Sequence, residues 1–116
     1  MTLRLPRSPI ATIRVNKPVD ALDYEIAQEM AGALGRLGRA LERSLRILAD
    51  FDAARPPENS LTMQAREQRQ KLVAEAGRAL WLFTVQREAC GLRDGRQVLR
   101  DYAVPPEVRD CMGIFP

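Results

Sequence analysis

Histidine is absent from the chain, and with it the side chain used most often as a general base near neutral pH and as a metal ligand. Aromatic residues make up only 5%, so a core has to be assembled from Leu, Ala and Val, which suits packing of helix on helix. There are two cysteines, Cys90 and Cys111, and neither has a second cysteine at metal-ligand spacing. With no signal-like segment, reduced thiols in the cytoplasm are expected in preference to a disulfide. The longest unbroken apolar run, Ala79 to Phe83, has five residues, whereas a membrane helix needs about 20. A soluble cytoplasmic protein is therefore expected, with no metal, no cofactor and no membrane partner.

What is present is one domain's worth of chain, 116 residues of which 46% are apolar. The formal charge of +3 is unevenly placed. Residues 1–19 hold Arg4, Arg7, Arg14 and Lys17 and no acid, which leaves 14 of the 18 basic side chains against all 15 acidic ones in residues 20–116, a net of −1. The basic character thus belongs to an N-terminal arm. Pro6, Pro9 and Pro18 forbid a continuous helix there, while Ala11-Thr12-Ile13-Arg14-Val15 alternates with the period of a strand. The arm is read either as mobile or as a short strand that pairs with a partner chain.

Beyond the arm the sequence predicts a single all-α domain, residues 20–116, dominated by two long helical patterns. The first runs from Asp20 to Ala54 and the second from Asn59 to Cys90, joined at Arg55-Pro56-Pro57-Glu58. This spacing predicts an antiparallel hairpin with arms of roughly 45–50 Å. In the first arm Asp20 is the expected N-cap. Leu22, Ile26, Met30, Leu34, Leu37, Leu41, Leu45, Leu48 and Phe51 form one apolar stripe, and Arg36, Arg39, Arg43 and Arg46 lie away from it. Beside the stripe run Ala27, Ala31, Gly35 and Gly38, with Gly32 close by. Three helical glycines cost about 1 kcal/mol each relative to alanine, which suggests either close approach of another helix or a local kink.

The second arm is polar from Gln64 to Lys71 and apolar all round from Ala79 to Val85. Leu72, Ala76, Leu80 and Phe83 share one face, and Trp81 and Val85 point the other way. Gly91 is a left-handed stop signal. Asp94-Gly95-Arg96-Gln97 has a capping-box pattern that starts a short helix through Tyr102, and Pro106 opens another that Gly113 ends. The tail residues Val98, Leu99, Tyr102, Val104, Val108 and Met112 are expected to cover Trp81 and Val85.

Antiparallel pairing sets Leu41 to Phe51 against Leu61 to Leu72, a segment with few large apolar groups. Leaving several large side chains wet forgoes several kcal/mol at about 25 cal/mol per Å2. A second copy making a four-helix core by two-fold symmetry is the simplest remedy, with Ala27, Ala31, Gly35, Leu45, Leu48 and Phe51 as candidate dimer interface.

No constellation points to catalysis. Cys90 stands near a helix C-terminus, where the dipole disfavours a thiolate, and no histidine can activate it. The acidic clusters Asp20, Asp23, Glu25, Glu29 and Asp94, Asp101, Glu107, Asp110 sit beside arginines or at helix starts, where acids cap and solvate. Arg36, Arg39, Arg43 and Arg46 are the candidate site for an anion or an acidic partner, although Glu42–Arg46 and Arg46–Asp50 are spaced for internal ion pairs.

The segments Leu22–Ile26, Val85–Asp94 and Tyr102–Val108 resemble a family of short, uncharacterised bacterial proteins. The resemblance covers most of residues 20 to 113 and leaves the arm outside. It implies a bacterial origin and assigns no activity. The expected role is accordingly a homodimeric interaction or scaffolding protein with an unidentified protein partner and no enzymatic activity; nucleic-acid or polyanion binding through the arginine face and basic arm is the alternative.

Overall fold

A computed structural model describes residues 18–54 and 62–112. Four helices occur among them: α1 (Pro18–Ala54), α2 (Met63–Ala89), α3 (Gly95–Asp101) and α4 (Pro106–Cys111). No strand is found among the described residues. The protein is an all-α hairpin with a short helical tail. The strand pattern at Ala11–Val15, the Pro-Pro turn and the terminator Gly113 lie outside the described residues.

The arms are unequal. α1 has 37 residues and α2 has 27, about 55 and 40 Å at 1.5 Å per residue. α1 starts at Pro18, where the missing N–H costs nothing and the fixed φ suits a first turn. Asp20 therefore sits inside the first turn and is not the N-cap. At the start of α2, Thr62 Oγ1 accepts from the Ala65 N–H at 3.0 Å, so this helix begins later than the expected Asn59.

The helices run antiparallel. Arg69 meets Asp52 at one end, and Gln86 Nε2 donates to the Met30 carbonyl at 3.4 Å near the other. Because α2 ends at Ala89, the apolar stripe of α1 continues past its partner, and Leu22 and Ile26 are 56% and 49% exposed. Leu41 and Leu48 are buried, with Leu34, Leu37 and Leu45 packed around them.

α2 ends in a left-handed turn. Gly91 has φ +88°, its N–H donates to Glu88 O at 3.0 Å and the Leu92 N–H to Arg87 O at 2.8 Å, the pairing of a Schellman motif. α3 repeats the device without a glycine. Ala103 takes φ +51°, with its N–H on Arg100 O at 3.2 Å and the Val104 N–H on Leu99 O at 3.0 Å. Asp94 opens α3 by accepting from the Arg96 N–H at 3.2 Å, and Pro106 begins α4 as expected.

The tail folds along the hairpin as a third layer, but it does not go where the apolar pattern suggests. Val98 and Val108 are fully buried against Val73, Ala76, Ala79, Leu80 and Phe83, each worth about 1.5–3 kcal/mol of apolar burial. Trp81 and Val85 stay 38% and 42% exposed on the far side of α2. The reason is Gly77. A Cβ there would meet Cys111 Cβ at 3.1 Å and the Cys111 carbonyl at 3.2 Å, so α4 approaches α2 at the one position where a side chain is missing. Thr84 Oγ1 adds a 3.9 Å hydrogen bond to Met112 Sδ.

The glycines of α1 have a different use from the one expected. At Gly32 and Gly35 the nearest atoms to an added Cβ are the guanidinium nitrogens of Arg36 and Arg39, both at 3.4 Å, so no other helix among the described residues lies over them. Only Gly38 is closely covered, by the Tyr102 hydroxyl at 2.9 Å and Phe83 Cε1 at 3.2 Å. The tight helix–helix approach belongs to α2 and α4 instead.

Urea unfolding should separate these glycines. Gly77→Ala is expected to lose stability, because overpacking of about 1–3 kcal/mol outweighs a helix-propensity gain of up to about 1 kcal/mol, whereas Gly32→Ala should gain about 0.5–1 kcal/mol. Relieving the left-handed alanine by Ala103→Gly should raise stability by about 0.5 kcal/mol, read as a higher midpoint at unchanged slope.

Candidate functional site

α1 carries an open groove on the side that faces the tail. Its volume is about 1240 Å3, and its floor runs along α1 from Ala31 to Asp52. Phe83 of α2 and the α3–α4 junction, from Asp101 to Glu107, close the opposite wall. The wall exists because of Gly38. With no Cβ at that position, Tyr102 can lean across α1 and set its ring edge-on to Phe83 at 5.4 Å between centroids and 66° between planes. Arg87 stands over the Phe83 ring at 6.0 Å and donates to the Asp94 carbonyl at 3.3 Å, tying the start of α3 to the end of α2.

One end of the groove is locked by Arg69. Its Nε and Nη2 fork onto Asp52 at 2.8 and 3.0 Å, and its Nη1 and Nη2 fork onto Glu107 at 2.9 and 2.6 Å. A single guanidinium on α2 therefore holds the end of α1 and the start of α4, using the planar geometry that lysine lacks. The Arg69 side chain is 20% exposed. The hydrogen bonds it donates to Glu107 and then to Asp52 push its pKa above the ordinary arginine value, so it stays cationic throughout the accessible pH range. This clamp was invisible in the sequence: its partners stand 17 and 38 positions away, and no local spacing marks them. Glu107 was noted only as one of a cluster of acids.

Of the residues singled out from sequence, the groove brings together Ala31, Gly35, Leu45 and Leu48 with Arg39 and Arg46. Ala27, Phe51, Arg36 and Arg43 are not part of its lining. Leu48 is 3% exposed; its own chain shelters it, so it is withdrawn from a surface that a second copy could reach. Phe51 and Leu45 are half-buried and Ala27 is exposed.

The arginine face also differs from expectation. Arg36 pairs with Glu29 at 3.1 Å, both well exposed, a contact of small energetic weight. Neither Glu42–Arg46 nor Arg46–Asp50 forms, and among the described residues no ion pair within 4 Å involves Arg39, Glu42, Arg43 or Arg46. The tail acids are employed locally: Asp94 caps α3, Glu107 binds Arg69 and Asp110 meets Arg109 at 3.3 Å. Cys90 is the C-cap of α2, with Gln86 Nε2 at 3.9 Å from its Sγ. Among the described residues no group of three or more Cys, Asp or Glu side chains is placed to hold a metal ion, and no helix is long and apolar enough to cross a membrane.

Comparison with known proteins gives a match over residues 1–116 to a family described as a family of unknown function, DUF6665. The match takes in the basic arm, which the resemblance noted from sequence had left outside. No curated protein and no solved structure matches the chain.

Removing the clamp should loosen the tail. Arg69→Ala is expected to cost about 1.5–3 kcal/mol in urea unfolding, the range for hydrogen bonds to charged groups at a mostly buried donor. Glu107→Gln, at a half-exposed position, should cost about 0.5–1 kcal/mol. Arg69→Lys should recover little, since one ammonium cannot fork onto two carboxylates.

Proposed function

We propose that this chain, which belongs to the DUF6665 family, is a homodimeric interaction or scaffolding protein without catalytic activity. The observation that supports the reading is the apolar surface left over once the tail has docked. The groove on α1 remains open, and Val19, Leu22 and Ile26 continue the stripe beyond the end of α2. A stripe of this kind gains burial only from something outside the hairpin. In a two-fold pair the long arms of both copies would supply a four-helix core. The bacterial, cytoplasmic setting with reduced thiols belongs to the same reading.

A second reading, binding of nucleic acid or another polyanion, is favoured by one observation: Arg39, Arg43 and Arg46 have no ion-pair partner among the described residues. Together with the arm they would follow a phosphate backbone. Against it stands the net charge of −1 outside the arm.

Sedimentation equilibrium at micromolar concentration should give twice the 13.0 kDa chain mass, with little change between about 50 and 200 mM salt. A strict monomer would end the homodimer reading. Binding of a generic duplex DNA that falls by orders of magnitude over the same salt range would shift the assignment to the polyanion.

A further inference from the structure

Resting on the homodimer reading, we infer that the occupant of the groove is α1 of a second copy, laid antiparallel, and that Arg39 of each copy pairs with Glu42 of the other. Charge complementarity carries the argument. Arg39 and Glu42 both line the groove, both are exposed, and neither has an ion-pair partner among the described residues. They stand one helical turn apart on the same face, an opposite-charge pair that is self-complementary when its copy runs the other way.

The charge pair sets the register, and the groove agrees with it. Pairing Arg39 with Glu42 of the second copy puts the two-fold axis between Ala40 and Leu41, about one residue from the middle of the groove's α1 floor, which extends from Ala31 to Asp52. An antiparallel α1 centred there places Arg39 opposite Glu42 of the second copy, and Glu42 opposite Arg39, within one residue of helical register. The same axis brings the half-buried Leu45 within one residue of Gly35 of the second copy and Ala31 within one residue of Ala49. Large meets small at the first of these contacts and small meets small at the second. At Gly35 no helix among the described residues covers the backbone, and the near neighbour is the movable end of Arg39. The contact is isologous, as two-fold symmetry requires, and the overlap of the two helices is about 27 Å.

Two single charge reversals test the pairing. R39E puts two carboxylates together at each symmetric contact and E42R puts two guanidiniums together, so each variant alone should dimerise roughly tenfold or more weakly than the parent. Mixed in equal amounts, they should re-form a dimer, because both contacts of the heterodimer again join opposite charges. Both positions are exposed on a helix and both substitutions keep good helix formers, so circular dichroism should show unchanged helicity.

If the parent chain is monomeric, the homodimer reading fails and this inference with it. If the parent dimerises and either reversal leaves the affinity unchanged, or the mixture fails to recover it, the dimer stands and the Arg39–Glu42 register is overturned.

Discussion

The docking of the C-terminal tail onto the hairpin is the constraint from which the rest of this structure follows. Two arms of polar-to-apolar character cannot dry each other, because the first half of α2 has few large apolar groups to offer Leu41 and Leu48. The tail supplies what is missing. Val98 and Val108 enter the core, α4 closes on Gly77, and Arg69 fixes the assembly with two forked carboxylate contacts. Each of these depends on the others. Arg69 reaches Glu107 because α4 is held near α2, and α4 is held near α2 because residue 77 has no side chain.

The same docking creates the groove. Had the tail packed over Trp81 and Val85, the glycine side of α1 would be a bare helix face. By crossing to α1, Tyr102 and the α3–α4 junction turn that face into a walled trough. The energetics of the two sides differ in kind. The buried side is apolar and satisfied within the chain; the groove side keeps an exposed cation and an exposed carboxylate on a floor of small residues. A surface of that composition gains little from the packing of the described residues against one another.

This division also explains why the functional reading rests on surfaces and not on a reactive centre. Of the acids that crowd the tail, Asp94 caps α3 while Glu107 and Asp110 are held in ion pairs, and Cys90 is the C-cap of α2. Family membership extends over the whole chain, arm included, and adds no activity to this picture.

The sequence by itself determined the elements: two long helices, a left-handed stop at Gly91, the Asp94 cap and the Pro106 start are all local events, written in periodicity and in the conformational limits of Gly and Pro. Helix starts slipped, since α1 opens at Pro18 ahead of the expected cap Asp20 and α2 opens after its cap Thr62 and not at Asn59, because neighbouring candidates differ by only about 1 kcal/mol or less. Only the tertiary structure decided which face the tail would cover. An apolar pair such as Trp81 and Val85 announces that burial is favourable but carries no direction, and hydrophobic attraction is non-directional. The choice fell to a missing Cβ at Gly77 and to an arginine whose partners lie 17 and 38 residues away, and such contacts have no signature in any window of sequence short enough to read.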